Sequence, residues 1–181
     1  MKRSKIRTSI LLLLAVSVLI TALTACNSEK QGKTTSGSPA ESTEVVYANP
    51  TIIVDRVQAH PGDEVSVHIM LKQSPGIAAC RLLVEFEKDS LELQSVSYGS
   101  AFAENGEEPG RNTSPVPLTW SQLDNIVGDE LFAELRFRVS DVVKPFRVLP
   151  ITVKYAPADM VNLDEEEVVF TVEDGSVEIV K

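Results

Sequence analysis

From about Val45 the pattern of the chain changes to period two, with runs in which apolar residues recur at every second position. Val65, Val67, Ile69 and Leu71 alternate with Ser66, His68 and Met70, and Ala78, Cys80, Leu82, Val84 and Phe86 alternate with Ala79, Arg81, Leu83 and Glu85. Leu131, Ala133, Leu135, Phe137 and Val139 alternate with Phe132, Glu134, Arg136 and Arg138. Ile151, Val153 and Tyr155 follow the same rhythm, as do Val168, Phe170 and Val172, and then Val177 and Ile179. A period of two sends successive side chains to opposite faces, so each run predicts a strand with one face buried. Pro61-Gly62, Pro75-Gly76, Pro109-Gly110 and Asp174-Gly175 predict breaks between strands. No stretch carries a long helical period, and many short strands punctuated by turn residues predict an all-β sandwich. Ala101 to Pro117 breaks the rhythm with polar, acidic, Pro- and Gly-containing sequence. It predicts a long loop with room for a short strand, the kind of segment that carries binding function on a rigid scaffold.

Upstream of the strands the pattern disappears. Residues 26–46, including GKTTSGSPAEST, are rich in Ser, Thr, Gly and Lys and predict a flexible tether. About 20 such residues have a root-mean-square reach of roughly 25 Å. The sandwich domain is then 47–181. Residues 1–25 open with Lys2, Arg3, Lys5 and Arg7, continue through an aliphatic run from Ile10 to Ile20, and end in Leu23-Thr24-Ala25 before Cys26. That order predicts a secretory signal peptide. Leu23-Thr24-Ala25-Cys26 resembles the lipoprotein box of bacteria. The resemblance implies that residues 1–25 are removed and that the Cys26 sulfur receives a diacylglycerol. The domain would then be extracytoplasmic, facing outward, and anchored to the cell membrane by lipid. An uncleaved anchor helix is the alternative, since 6–25 is marginally long enough to span a bilayer. Both place the soluble part outside the cytoplasm.

Of 181 residues, 156 follow the signal peptide, enough for one domain with a core. The first 25 hold four of the 17 basic residues and none of the 26 acidic ones, leaving a formal charge of −13 on the remainder. Such a surface repels nucleic acid and anionic headgroups, and it steers a cationic partner or simply keeps the protein soluble. Cys80 is the one cysteine after Cys26, so no internal disulfide is expected and stability must come from the core. The expected state is a monomer.

The order of segments also resembles a known family. PGDEVSVHIMLKQSPGIAACRLLVEFEKDSLELQSVSYG is similar to the first half of a cohesin domain, GDELFAELRFRVS to the strand after its central loop, and VEDGSVEIV to its closing strand. The resemblance covers roughly Thr51 to Lys181. It implies a nine-stranded jelly-roll β-sandwich, immunoglobulin-like in class, that binds dockerins, small calcium-loaded helical modules carried by other proteins, in cellulosomes by polysaccharide-degrading enzymes. Any calcium would belong to the dockerin, and no cofactor is expected on this chain. The resemblance further implies that Ile77 to Phe86 lies on the dockerin-facing sheet, with the residues flanking its cysteine pointing outward. Where the commonest type of cohesin has Asn-Cys-Asp, this chain has Ala79-Cys80-Arg81, replacing two polar contacts by a methyl and a cation.

Alternation alone places Ala79, Arg81 and Leu83 outward and Cys80, Leu82 and Val84 inward. Outward Arg and apolar side chains suit an interface, although a single exposed leucine is also ordinary. Trp120, the only tryptophan, lies in LTWSQLD. It is either core or, if Leu118, Trp120 and Gln122 face outward, an anchor for a partner; the alternation within that segment does not separate the two. Glu104, Glu107 and Glu108 on the preceding loop could meet basic side chains of a partner. The candidate partner-binding residues are therefore Ala79, Arg81, Leu83, Glu104, Glu107, Glu108, Trp120 and Gln122. Nothing predicts catalysis. His60 and His68 lack metal-ligand spacing, Glu165 to Glu167 read as a solvated turn, and no nucleophile has an evident base. A protein-binding anchor is the reading this leads to. A carbohydrate-binding module, which requires a row of exposed aromatics, and a structural or assembly lipoprotein of the envelope are the alternatives.

Overall fold

Two strands set the architecture, because each is long enough to belong to both layers of the sandwich. In a computed structural model that describes residues 49–110 and 113–181, β3 runs unbroken over Glu64–Phe86 and β5 over Val116–Val139. The described residues belong to one unit, Glu44–Lys181. The expected signal peptide 1–25, the expected lipidation site Cys26 and the expected tether 26–46 lie outside them. The remaining strands are β1 (Thr51–Val54), β2 (Arg56–Ala59), β4 (Leu91–Tyr98), β6 (Val148–Lys154), β7 (Met160–Val161), β8 (Thr171–Glu173) and β9 (Gly175–Ile179), giving nine among the described residues. This is the all-β sandwich that the alternation predicts, with the nine strands and jelly-roll form that the resemblance implies, built from one curled sheet.

The layers follow from the pairing. The first half of β3 pairs with β1 and with the second half of β5, and β8 and β4 close the two edges of that layer. The second half of β3 pairs with the first half of β5 on one side and with β6 on the other. Beyond β6 come β9 and β2, while β7 continues beside β3 at Ala79 and Cys80. Ile52, Val67, Ile69 and Leu135 from one layer and Leu82, Val84, Leu118 and Ile151 from the other are fully buried. At about 1.5–3 kcal/mol for each fully buried aliphatic side chain, this shared interior supplies the driving force that a disulfide-free domain needs.

Pro75-Gly76, expected to end a strand, bends one instead. Gln73 and Gly76 take φ of 50° and 132°, and Gly128 opposite takes 88°. The two chains stay paired through the bend at Ser74–Gly128 and Ile77–Ile126. Asp129 fixes it: its carboxylate accepts from the Gln73 N–H at 2.8 Å and from Lys72 Nζ at 3.0 Å. Those two donors, the backbone one first, hold the Asp129 carboxyl below the usual range.

Phe132 departs from simple alternation for a related reason. Ile69 pairs with Ala133 and Met70 with Leu131, so Phe132 is the extra residue of a bulge and turns inside. There it meets Tyr98 edge-on at 5.6 Å and Phe102 at 5.0 Å, and Phe102 meets Trp120 at 4.8 Å. Edge-to-face contacts of this kind add to the area they bury. They pin the segment after β4 to both layers. The Tyr98 hydroxyl then donates to Glu107 O at 3.0 Å, and its ring lies where a Cβ on Gly106 would stand. Gly106→Ala should therefore cost about 1–3 kcal/mol, the range for overpacking. Chemical denaturation checks this, and an unchanged midpoint would show that the loop does not depend on that contact.

Candidate docking face

The outer surface of the second layer is the feature that the fold leaves open. Cys80, Leu82 and Val84 are buried, Arg81 is exposed, and Ala79 and Leu83 are half-buried on the outer side, as alternation predicts. The register extends the face sideways. Arg81 stands beside Thr119, Ala79 lies between Ser121 and Val161, and Leu83 lies between Pro117 and Lys154. Lys154 Nζ donates to Glu85 Oε2 at 2.7 Å. The result is a strip of small, hydroxyl and aliphatic side chains with one guanidinium near its middle.

The loop forms one rim. Gly106 bridges to Trp120 and the Glu107 N–H donates to Thr119 O at 3.0 Å, so exposed Glu107 borders the row of Thr119 and Arg81. Glu104 and Glu108 are exposed on the same loop. The opposite rim comes from a residue the sequence offered only as part of a solvated acidic run. Asn162 folds the segment after β7 into a turn, its side-chain oxygen accepting from the N–H of Asp164 at 3.0 Å and of Glu166 at 2.9 Å. Glu167 then bridges to Val161, so the row reads Ser121, Ala79, Val161, Glu167.

Two of the predicted contacts are corrected. Trp120 is 1% exposed and packs edge-on against Phe102, so it is core and no anchor. Leu118 is buried beside it, and the outward residues of this part of β5 are Pro117, Thr119, Ser121 and Leu123. Gln122 is half-buried, and its amide turns back to donate to Asp124 O at 3.0 Å. Leu123, 90% exposed, is an outward apolar side chain on this face that the sequence reading did not include. Leu163 joins it at the same end of the face, its N–H donating to Asn125 Oδ1 at 3.0 Å.

His60 pairs with Asp63 at 3.0 Å and His68 with Asp55 at 2.6 Å, and neither lies on the face. Among the described residues no group of three His, Cys, Asp or Glu is placed to hold a metal ion. Burial pushes the Cys80 thiol up to about 12, which keeps it protonated and unreactive in the fold.

Comparison with known proteins places this arrangement in a family. The model of the Cohesin domain family matches residues 50–179. No curated protein matches the chain. Among solved structures, the chain is 19% identical to a non-cellulosomal cohesin from the archaeon Archaeoglobus fulgidus, with a TM-score of 0.65 over 74% of this chain and 93% of that one. It is 23% identical to a structure of the Coh-OlpA–Doc918 type I cohesin–dockerin complex from Clostridium thermocellum, with a TM-score of 0.66 over 73% of this chain and 99% of that one. The Coh-OlpC–Doc435 complex from the same organism matches at 21% identity and a TM-score of 0.65, over 78% and 99%.

Trp120 and Cys80 report on the interior behind the face. Trp120→Ala should lose about 3–5 kcal/mol of stability. Trp120→Phe should lose less, because it also deletes an indole N–H that is buried without a hydrogen-bond partner. Denaturation curves read both, and iodide quenching of native Trp120 at solvent-like rates would contradict its burial. In a Cys26→Ser chain, Cys80 should be alkylated no faster than the protein unfolds.

Proposed function

The chain belongs to the cohesin family, and from that premise we propose that it is a non-catalytic docking module whose outer β3–β5–β6–β7 face receives a dockerin carried by another protein, outside the cell and tethered by lipid on Cys26. The observation that carries this reading is the outward set Ala79, Arg81 and Leu83 on a rigid ladder that no other described element covers. Two of the similar structures are cohesins in complex with dockerins. The docking face is mostly uncharged along its middle, with charge toward the rims, which is the anatomy of a specific protein interface. A role in binding polysaccharide calls for a row of exposed aromatics. Trp120 is inside, and none of the outward residues on β3, β5, β6 or β7 is aromatic.

The tether and anchor rest on the cationic start, the aliphatic run and Leu23-Thr24-Ala25-Cys26. A single lipid-bearing terminus and about 20 flexible residues would hold the docking face within a few tens of ångströms of the membrane. In a wall of ordinary thickness that favours partners able to reach the membrane surface. Attachment of polysaccharide-degrading enzymes is the use that fits such a module.

Immobilised full-length chain should capture a dockerin-bearing protein from its own organism in calcium, and release it in chelator. Leu83→Glu should reduce capture by at least about tenfold, since a desolvated carboxylate at the centre of an interface costs more than 1.4 kcal/mol. Capture that persists undiminished in that variant would place the interface elsewhere. Separately, Cys26→Ala should abolish incorporation of labelled fatty acid. Continued labelling would refute the anchor.

A further inference from the structure

Resting on the docking reading, we infer that the partner presents a carboxylate opposite Arg81 and basic side chains toward the rims at Glu107 and Glu167. The Arg81 guanidinium is exposed in the middle of the face and makes no hydrogen bond or ion pair with any described residue. Among the described residues the other cation of the face is already committed, Lys154 to Glu85 at 2.7 Å. Thr119 separates Arg81 from Glu107, about two strand spacings or ~10 Å away along the row. Glu167 lies beyond Val161 on the neighbouring row.

Docking buries whatever stands at the centre of such a face. A guanidinium taken out of water without a partner is strongly unfavourable, and among the described residues no carboxylate pairs with that of Arg81. The missing acceptor must come from across the interface. A planar, five-donor guanidinium is matched best by a bidentate carboxylate. Its neighbours limit what surrounds that carboxylate: the Ala79 methyl and the Leu83 side chain accept small or apolar contacts, and Thr119 and Ser121 accept or donate hydrogen bonds. Exposed Glu107 and Glu167 at opposite edges complete a minus–plus–minus pattern, whose complement is plus–minus–plus.

The test measures the affinity of the full-length chain for one dockerin that it captures, at low and at physiological salt. Arg81→Gln should weaken binding about tenfold, and Arg81→Glu by at least about thirtyfold, with circular dichroism unchanged because the side chain is solvent-facing. Reversing the dockerin's exposed carboxylates to Lys one at a time should yield one variant that binds wild type poorly and restores Arg81→Glu. Glu107→Lys and Glu167→Lys should slow association without a comparable loss of lifetime. Binding of Arg81→Glu within about twofold of wild type, or the lack of any rescuing reversal, overturns the charge assignment while Leu83→Glu still tests the docking face. A wild-type chain that captures no dockerin overturns the docking reading and this inference together.

Discussion

The pairing of β3 with β5 is the constraint on which the rest of the molecule depends. Both strands pass from one layer to the other, so the core of the first layer and the face of the second belong to a single ladder. Side chains alternate along it with a period of two, and a slip of one residue would exchange every inward position for an outward one. Leu82, Val84, Leu118 and Trp120 prevent that slip, because moving them outward would give up several kcal/mol each. Arg81 and Leu83 face solvent because their neighbours cannot. The positive φ values at Gln73, Gly76 and Gly128, tied down by Asp129, let the ladder turn the corner without losing its register.

The same interior determines the rim. Trp120 does not touch a partner, yet it helps to position the residue that could. Phe102 packs edge-on against it, Phe132 packs against Phe102, and Tyr98 closes the cluster and holds Glu107 by its hydroxyl. Burial pushes the Tyr98 hydroxyl up to about 12, so it remains a donor across any pH at which the domain is used. A long polar loop is thus held along one edge of the face by four aromatic rings, which reduces the entropy that binding would otherwise have to overcome.

Much of this was legible from spacing alone, and the exceptions have physical causes. The outward set on β3 followed from Cys80, Leu82 and Val84, since three apolar residues at period two leave one choice. The same signal existed for β5 in Val116, Leu118 and Trp120, but a segment begun at Leu118 is too short to reveal it. Pro75-Gly76 announces backbone dihedrals, not a chain reversal, and only pairing with Gly128 distinguishes a bent strand from an ended one. Phe132 turns inward because of a bulge, which is a property of two strands and is absent from either sequence alone. Glu167 is distant from Ala79 in the chain and adjoins its row only through β7, so no local pattern could have put it on the face.

Charge acts on this module at two distances with opposite signs. Residues 26–181 carry a formal charge of −13, a field that draws in basic surfaces and repels acidic ones over roughly a Debye length of 8 Å at physiological salt. Within contact distance the decisive group is a cation. A partner that is acidic throughout would be turned away before it met Arg81, and one that is basic throughout would arrive and find the guanidinium unmatched. Only a basic surface with an acidic centre satisfies both conditions. Long-range attraction sets how often such a surface arrives, whereas the cost of burying Arg81 unpaired sets which arrivals persist. Discrimination of this kind comes from the penalty on wrong partners more than from the gain on the right one. One unpaired side chain on a rigid ladder can therefore change specificity without altering the fold that presents it.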